Sequence, residues 1–299
     1  MLYPRIKRVL RPMVRLARRV PLVRDLPVLR RHDPAPPRPA VITPAAKHRK
    51  LDRIRPLLRD DLHITESHGH FDALTPDLRR QCNIVDTENV SANGYDPLAL
   101  RVIERYASGL VLDCGAGLRD VYYDNVVNLE IVPYPTTDVL GVGECLPFRD
   151  NSFDAVFSLA VLEHVRDPFA CAAEIARVLK PGGELYCAVP FLQPLHGYPH
   201  HYYNMTHQGL RNLFEPHLQI EKQQVLASGL PIFTLTWFLN QWAAGLRGKA
   251  RRQFLRMRIR DLLGDVMEML EMPAVTELPQ AVNFELASAT ALFARKPAA

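Results

Sequence analysis

The sequence predicts an α/β protein: a doubly wound, mostly parallel sheet that presents ligands at the carboxyl ends of its strands. Three observations carry this. Short apolar runs at 110–113, 126–130, 138–142, 155–159 and 184–189 are separated by helical patterns or crossovers, and helix start and stop residues stand at the borders of those patterns. A Gly-x-Gly loop, VLDCGAGLRD at 111–120, directly follows the first run. At 299 residues the chain is long enough for one large domain or a domain with appendages.

In chain order, Ile6, Val9, Leu10, Met13, Ala17 and Val20 recur at helical steps with arginines between them, a basic amphipathic helix bent at Pro12. Such a helix suits a membrane surface, an acidic partner or the protein's own body. The Pro-rich segment 34–44 reads as an extended linker, so residues 1–50 form an arm. Residues 51–95 read as a cap region: a short helix near 51–59, then a polar stretch whose His63, His68 and His70 are expected in a solvated loop rather than on a metal.

Regular structure begins at Asp96, an N-cap followed by Pro97, with Leu98, Val102, Ile103 and Tyr106 as the apolar stripe and Gly109 as the stop. Strands at 110–113, 126–130, 138–142 and 155–159 follow; a helix over 170–179 stops at Lys180-Pro-Gly-Gly183 and leads to a strand at 184–189. Thr206 caps a helix to about Phe214, and a sixth strand is expected at 218–226. Leu255, Ile259, Leu262, Leu263, Val266 and Leu270 predict one amphipathic helix flanked by arginines, and 284–294 a last strand.

Charge and cysteine narrow the function. Residues 1–60 hold 17 of the 37 Lys and Arg but 4 of the 32 Asp and Glu, so the net charge of +5 belongs to the arm and the body is acidic. A nucleic-acid partner, which wants a basic stripe on the folded domain, is disfavoured. The five cysteines lack a CxxC, which supports neither a disulfide framework nor a zinc ribbon and suits the cytoplasm, with the arm as a peripheral membrane contact. The longest apolar stretch, 230–246, is short for a membrane span and is broken by Thr234, Thr236, Asn240 and Gln241. The N-terminus has no secretory apolar core, and no Ser or Thr precedes Thr43, which disfavours a transit peptide. The pattern specifies no oligomeric state.

The loop indicates the cofactor. A pyrophosphate seat wants a third glycine and a helix N-terminus facing the phosphates. Here Arg119 stands at the third position, and 118–125 is too short for a long helix. A cofactor without pyrophosphate, such as S-adenosylmethionine, needs close backbone approach, an acid near its ammonium and an acid for its ribose, and Asp113, Gly115, Gly117 and Glu130 supply those parts.

The ordered set VLDCGAG, NLE, GECLPFRDNSFDAVFSLAVLEHV, ARVLKPGGELYCAVP and YYNMTHQGLRNLF resembles the class I S-adenosylmethionine-dependent methyltransferases. The likeness is to the small-molecule branch that includes the ubiquinone and menaquinone C-methyltransferases, over roughly 96–227 and 284–296. It implies a Rossmann-like sheet of about seven strands with an antiparallel last strand, and S-adenosylmethionine as cofactor. It places Asp113 under the methionine ammonium, Gly115, Ala116 and Gly117 in the close-approach loop, and Glu130 with Ile131 at the ribose. Gly143, Glu144 and Leu146 would flank the adenine, with Ser158 and Leu159 at the floor. This chain departs from the family at Gly141-Val142-Gly143, where an Asp would stand at 142, so Glu144 or backbone carbonyls would replace that acceptor, or the affinity would be lower. The family also places His164 beside the site as local structure.

On the acceptor side, PLHGYPHHYYNMTH at 194–207 follows the fifth strand, and His196, His200 and His201 are the candidate bases. Trp237 and Trp242 lie in a helical insertion at about 229–280, which would serve as a lid on the methyltransferase domain of 96–299. The expected function is methyl transfer to a small molecule: a glycan, lipid-linked or natural-product hydroxyl. The competing reading is a non-catalytic cofactor-binding or membrane-tethered scaffold.

Overall fold

The computed structural model describes residues 38–85, 94–197 and 200–290. The expected basic helix of residues 6–20 lies outside them. The chain divides into two compact units, residues 1–191 with 197–224, and residues 192–196 with 225–299.

In the first unit, α1 spans Pro44–Ile54, opened by the Thr43 hydroxyl accepting the Ala46 N–H and by Pro44 in the first turn. The helix thus begins seven residues before the expected start, because Thr43-Pro44 is itself a cap followed by a first-turn proline, and an arm-to-cap boundary at 50 cuts through it. Strands β1 (Thr65–Ser67) and β2 (His70–Asp72) form a hairpin across His68 and Gly69, both at positive φ. The region read as a cap therefore supplies two strands of the sheet. His63 and His68 are exposed as expected, whereas His70 is a buried strand residue.

Helices α2 (Pro76–Gln81) and α3 (Pro97–Arg105) start at Thr75 and Asp96, whose side chains accept the Leu78 and Ala99 amides. Strands β3 (Val111–Cys114), β4 (Val126–Glu130), β5 (Val139–Leu140) and β6 (Phe153–Leu159) follow, then α4 (Pro168–Val178) and β7 (Leu179–Ala188). The expected stop at Lys180-Pro-Gly-Gly183 is a bulge inside β7: Phe153 pairs with Leu179 and Ala155 with Glu184, so the four residues loop out. Helix α5 (His207–Phe214) is capped by Thr206. The sheet runs β1-β2-β5-β4-β3-β6-β7, parallel except for the β1–β2 pair.

Seven strands are present among the described residues, but two of them are not those expected. Residues 218–226 form no strand: Glu221 to Gln224 are polar and exposed, the Gln223 side chain donates to the His207 carbonyl, and Leu218 and Ile220 reach the core without strand pairing. Residues 284 and 285 end a helix, and 286–290 are irregular; the rest of the expected last strand lies outside the described residues. Among the described residues the antiparallel strand is the first, β1, rather than the last.

One buried ionic cluster locks α1 to the sheet. Asp138, wholly buried, accepts from Lys47 Nζ (3.0 Å), Tyr122 Oη (2.6 Å) and the Asn128 N–H (2.9 Å), and lies 2.6 Å from Lys50 Nζ. Lys50 Nζ also stands 3.8 Å from the centre of the Tyr122 ring. Burial pushes the Asp138 carboxyl up, but Lys50 and Lys47 outweigh this and hold it below the ordinary value. Asp138→Asn leaves two buried ammonium groups without a counter-charge and is expected to destabilise the fold by about 3–5 kcal/mol in urea unfolding. A loss under 1 kcal/mol would show that the lysines find other partners.

The second unit is helical. It holds α6 (Pro231–Gly245), α7 (Gly248–Phe254), α8 (Val266–Met269), α9 (Pro273–Thr276) and α10 (Gln280–Glu285). Its core gathers Ala243, Leu246, Ala250, Phe254, Ala274 and Leu278, with Trp242 stacked on Phe254 and donating to the Ala274 carbonyl. The single amphipathic helix expected over 255–270 is broken. Asp261 accepts the Arg258 N–H, Asp265 accepts the Met267 N–H, and Gly264 lies between, so side chains compete for the amides a continuous helix would use. Leu255, Ile259, Leu263 and Val266 are consequently exposed.

Candidate active site

The carboxyl ends of β3, β4 and β6 converge because these strands are parallel neighbours. Just beyond β3, the Gly115 and Ala116 amides both donate to the Leu129 carbonyl at 3.0 Å, which stitches the loop to β4. Gly115 and Gly117 lie at φ +80° and +66°, a region that favours glycine. A Cβ on Gly115 would stand 2.6 Å from Val161 Cγ2, and one on Gly143 2.8 Å from Cys171 Sγ. Both glycines are required by close approach.

The two acids sit as expected at the strand ends but already have partners. Glu130 accepts the Gly117 amide on Oε2 and the Ile131 amide on Oε1, each at 2.7 Å. Burial pushes its carboxyl up, and these two amides offset part of that. Asp113 is fully buried and takes three contacts on Oδ2: Tyr95 Oη at 2.6 Å, Arg119 Nε at 2.9 Å and Arg119 Nη2 at 2.8 Å. Its Oδ1 has no donor among the described residues. A buried acceptor left in this way costs free energy that a cationic ligand would recover.

The structure brings Asp113, Gly115, Ala116, Gly117, Glu130 and Ile131 together around one loop. Ser158 and Leu159 end the adjacent β6, and the Ser158 hydroxyl is buried with no hydrogen-bond partner among the described residues. On the adenine side, Glu144 Oε1 accepts the Arg166 N–H at 3.0 Å. Its carboxylate thus stabilises the turn after β6, so a role as adenine acceptor would have to share it. Leu146 is wholly buried in the main core, and its amide donates to Glu174; its side chain belongs to packing.

The three candidate histidines take different partners. His200 Nε2 lies 2.9 Å from Asn83 Nδ2 and its ring rests on Tyr202. His201 Nε2 bonds Asn204 Oδ1 at 3.0 Å, and its ring lies 5.5 Å from that of His164. His196 belongs to the other unit, where its ring is 5.2 Å from Trp237.

The polar group that sequence reasoning passed over is Glu163. It is wholly buried, neither carboxylate oxygen has a hydrogen bond among the described residues, and His164 Nε2 lies 3.8 Å from Oε1. Burial pushes its carboxyl up to about 8. Its carbonyl accepts the Tyr202 and Tyr203 amides, so the 200–203 segment is anchored on this residue. His164 is held in turn by Nδ1 at 2.6 Å from the His200 carbonyl. The available signal was a lone acid in the apolar run SLAVLEHV immediately after β6.

Residues 112–187 match the type 11 methyltransferase family model, described as a methyltransferase domain. Among curated relatives, a demethylmenaquinone methyltransferase of Renibacterium salmoninarum is 46% identical over 59 residues, covering 20% of this chain and 24% of that one. The ubiquinone/menaquinone biosynthesis C-methyltransferase UbiE of Brucella suis is 28% identical over 148 residues, covering 46% and 51%. The [4+2]-cyclase SpnF is similar in structure at a TM-score of 0.35 and 20% identity, over 65% of this chain and 77% of that one. The first curated relatives are spanned over only 20% to 24% of their lengths. Residues 112–187 are a class I, S-adenosylmethionine-dependent methyltransferase domain of the type 11 family.

Proposed function

We propose that the protein is a methyltransferase that moves a methyl group from S-adenosylmethionine to a hydroxyl of a small molecule. The observations that support this most are, among the described residues, an Asp113 oxygen without a donor near the end of β3 and a buried Glu163 carboxyl without a hydrogen bond in the turn that follows the neighbouring β6. The residues fit the cofactor: Asp113 Oδ1 would take an ammonium, the Gly115–Gly117 backbone allows close approach, and Glu130 offers a carboxylate for ribose hydroxyls. Bound S-adenosylmethionine supplies a methyl group on a sulfonium leaving group. The protein's part is then to align, to exclude water and to receive a proton. Glu163 takes the hydroxyl proton, and its neighbour His164 stands 3.8 Å from its Oε1.

A lipid-linked acceptor is supported by the exposed Leu255, Ile259, Leu263 and Val266, interleaved in sequence with Arg251, Arg252, Arg256, Arg258 and Arg260. No helix among the described residues is long and apolar enough to cross a membrane, so such an acceptor would be reached from the membrane surface.

Calorimetric titration tests the cofactor reading. S-adenosylmethionine and S-adenosylhomocysteine are expected to bind and NAD to give no heat. Binding of NAD alone would overturn the assignment.

A further inference from the structure

The buried pair formed by Asp113 and Arg119 has an unusual geometry. A self-sufficient Arg–carboxylate pair is commonly a fork, two parallel N–H···O bonds that use both oxygens. Here Arg119 Nε and Nη2 both approach Oδ2, at 2.9 and 2.8 Å, and the Tyr95 hydroxyl approaches the same oxygen at 2.6 Å. Among the described residues the donors are all on one side of the carboxylate, and Oδ1 is left buried without one. The guanidinium is itself held in place, its carbon 4.3 Å from the centre of the Tyr95 ring and its side chain 4% exposed.

The charges on this pair cancel. An added lone cation would satisfy Oδ1 but stand uncompensated beside the buried Arg119, and an added lone anion would face Asp113. A ligand that carries a cation and an anion two bonds apart avoids both penalties, since each end meets the opposite charge and the total stays neutral. We propose that Asp113 and Arg119 together form a zwitterion seat, in which Oδ1 takes the α-ammonium and the guanidinium takes the α-carboxylate of the cofactor's methionine end.

This rests on the reading of the domain as one that binds S-adenosylmethionine, and it gives that reading a new element. Arg119, at the position where a third glycine would permit a pyrophosphate, becomes the residue that makes the site selective for an amino-acid tail.

The test separates the two claims. S-adenosylmethionine, its decarboxylated form and methylthioadenosine are titrated into the wild-type protein, Arg119→Met and Arg119→Lys. The wild type is expected to prefer S-adenosylmethionine over the decarboxylated ligand by tenfold or more, the Lys variant to keep part of that preference, and the Met variant to lose it while binding the decarboxylated ligand at least as well as the wild type. An equal loss for both ligands in Arg119→Met, or a wild type indifferent to the carboxylate, would overturn the zwitterion seat and leave the cofactor assignment standing. No binding of either sulfonium ligand to the wild type would overturn both. The wild-type comparison needs no variant, so a poorly folded substitution does not remove the test.

Discussion

Glu163→Gln is expected to lower the turnover number on a hydroxyl acceptor by about 10²- to 10⁴-fold, the usual contribution of a positioned general base, while S-adenosylmethionine binds within about twofold of the wild type. The carboxyl is wholly buried, has no hydrogen bond to its oxygens among the described residues and is pushed up to about 8 by that burial, so wild-type activity should rise with pH and level off above about 8. In the Gln variant the rise should be absent. Stability gives an independent readout. Because the folded-state value lies above the ordinary 4.5, Glu163 contributes stability that is fully present below about 4.5 and is lost as pH rises through about 8. Gln cannot ionise, so the variant should be more resistant to urea than the wild type at pH 8 and no more resistant at pH 4.5. A variant with unchanged turnover and an unchanged pH profile would remove Glu163 from the chemistry.

Gly115→Ala is expected to weaken S-adenosylmethionine binding by tenfold or more and to lower the melting temperature. Two penalties combine. The backbone sits at φ +80°, and the added Cβ would meet Val161 Cγ2 at 2.6 Å and Cγ1 at 2.7 Å, so the loop or the turn after β6 must move. Overpacking of this kind costs about 1–3 kcal/mol. Gly182→Ala is the matched control, since its φ of +77° is equally unfavourable but no atom lies within 4 Å of the new Cβ. It should cost stability alone, without loss of cofactor affinity. Adding Val161→Ala to Gly115→Ala should recover part of the melting temperature, because it removes the contact and leaves the strain. Equal cofactor affinity in all of these variants would show that the loop is not the binding site.

The parts of this molecule that could be read from its sequence are those whose signals are local. Asp96-Pro97 and Thr206 are caps, and their helices start where the sequence places them. The run Val126–Glu130 is a strand with the predicted limits, since it is buried throughout and bounded by turns. What was hidden depends on distant partners. The β1–β2 hairpin is short and largely polar, and β2 becomes part of the sheet only by pairing with β5, some 70 residues away. Residues 218–226 show the converse: Leu218 and Ile220 pack inward without a strand, and the polar run Glu221–Gln224 that follows them is exposed.

The candidate site divides in the same way. The glycines and the acids at strand ends are legible because a tight loop after a strand leaves them little choice. Arg119 and Glu163 are not, because their meaning comes from a neighbour's unused oxygen and from burial, and neither is written in spacing. The three histidines of 196–201 illustrate the limit: adjacent in sequence, they take separate partners in Trp237, Asn83 and Asn204.

The central claim is tested most directly by following label from methyl-labelled S-adenosylmethionine into a panel of hydroxyl acceptors, glycan, lipid-linked and polyketide-like, with wild type and Glu163→Gln side by side at pH 8. The account predicts label in at least one acceptor with the wild type and a loss of at least about 10²-fold in the variant. Tight cofactor binding with no transfer to any acceptor would contradict it and favour a non-catalytic cofactor-binding module.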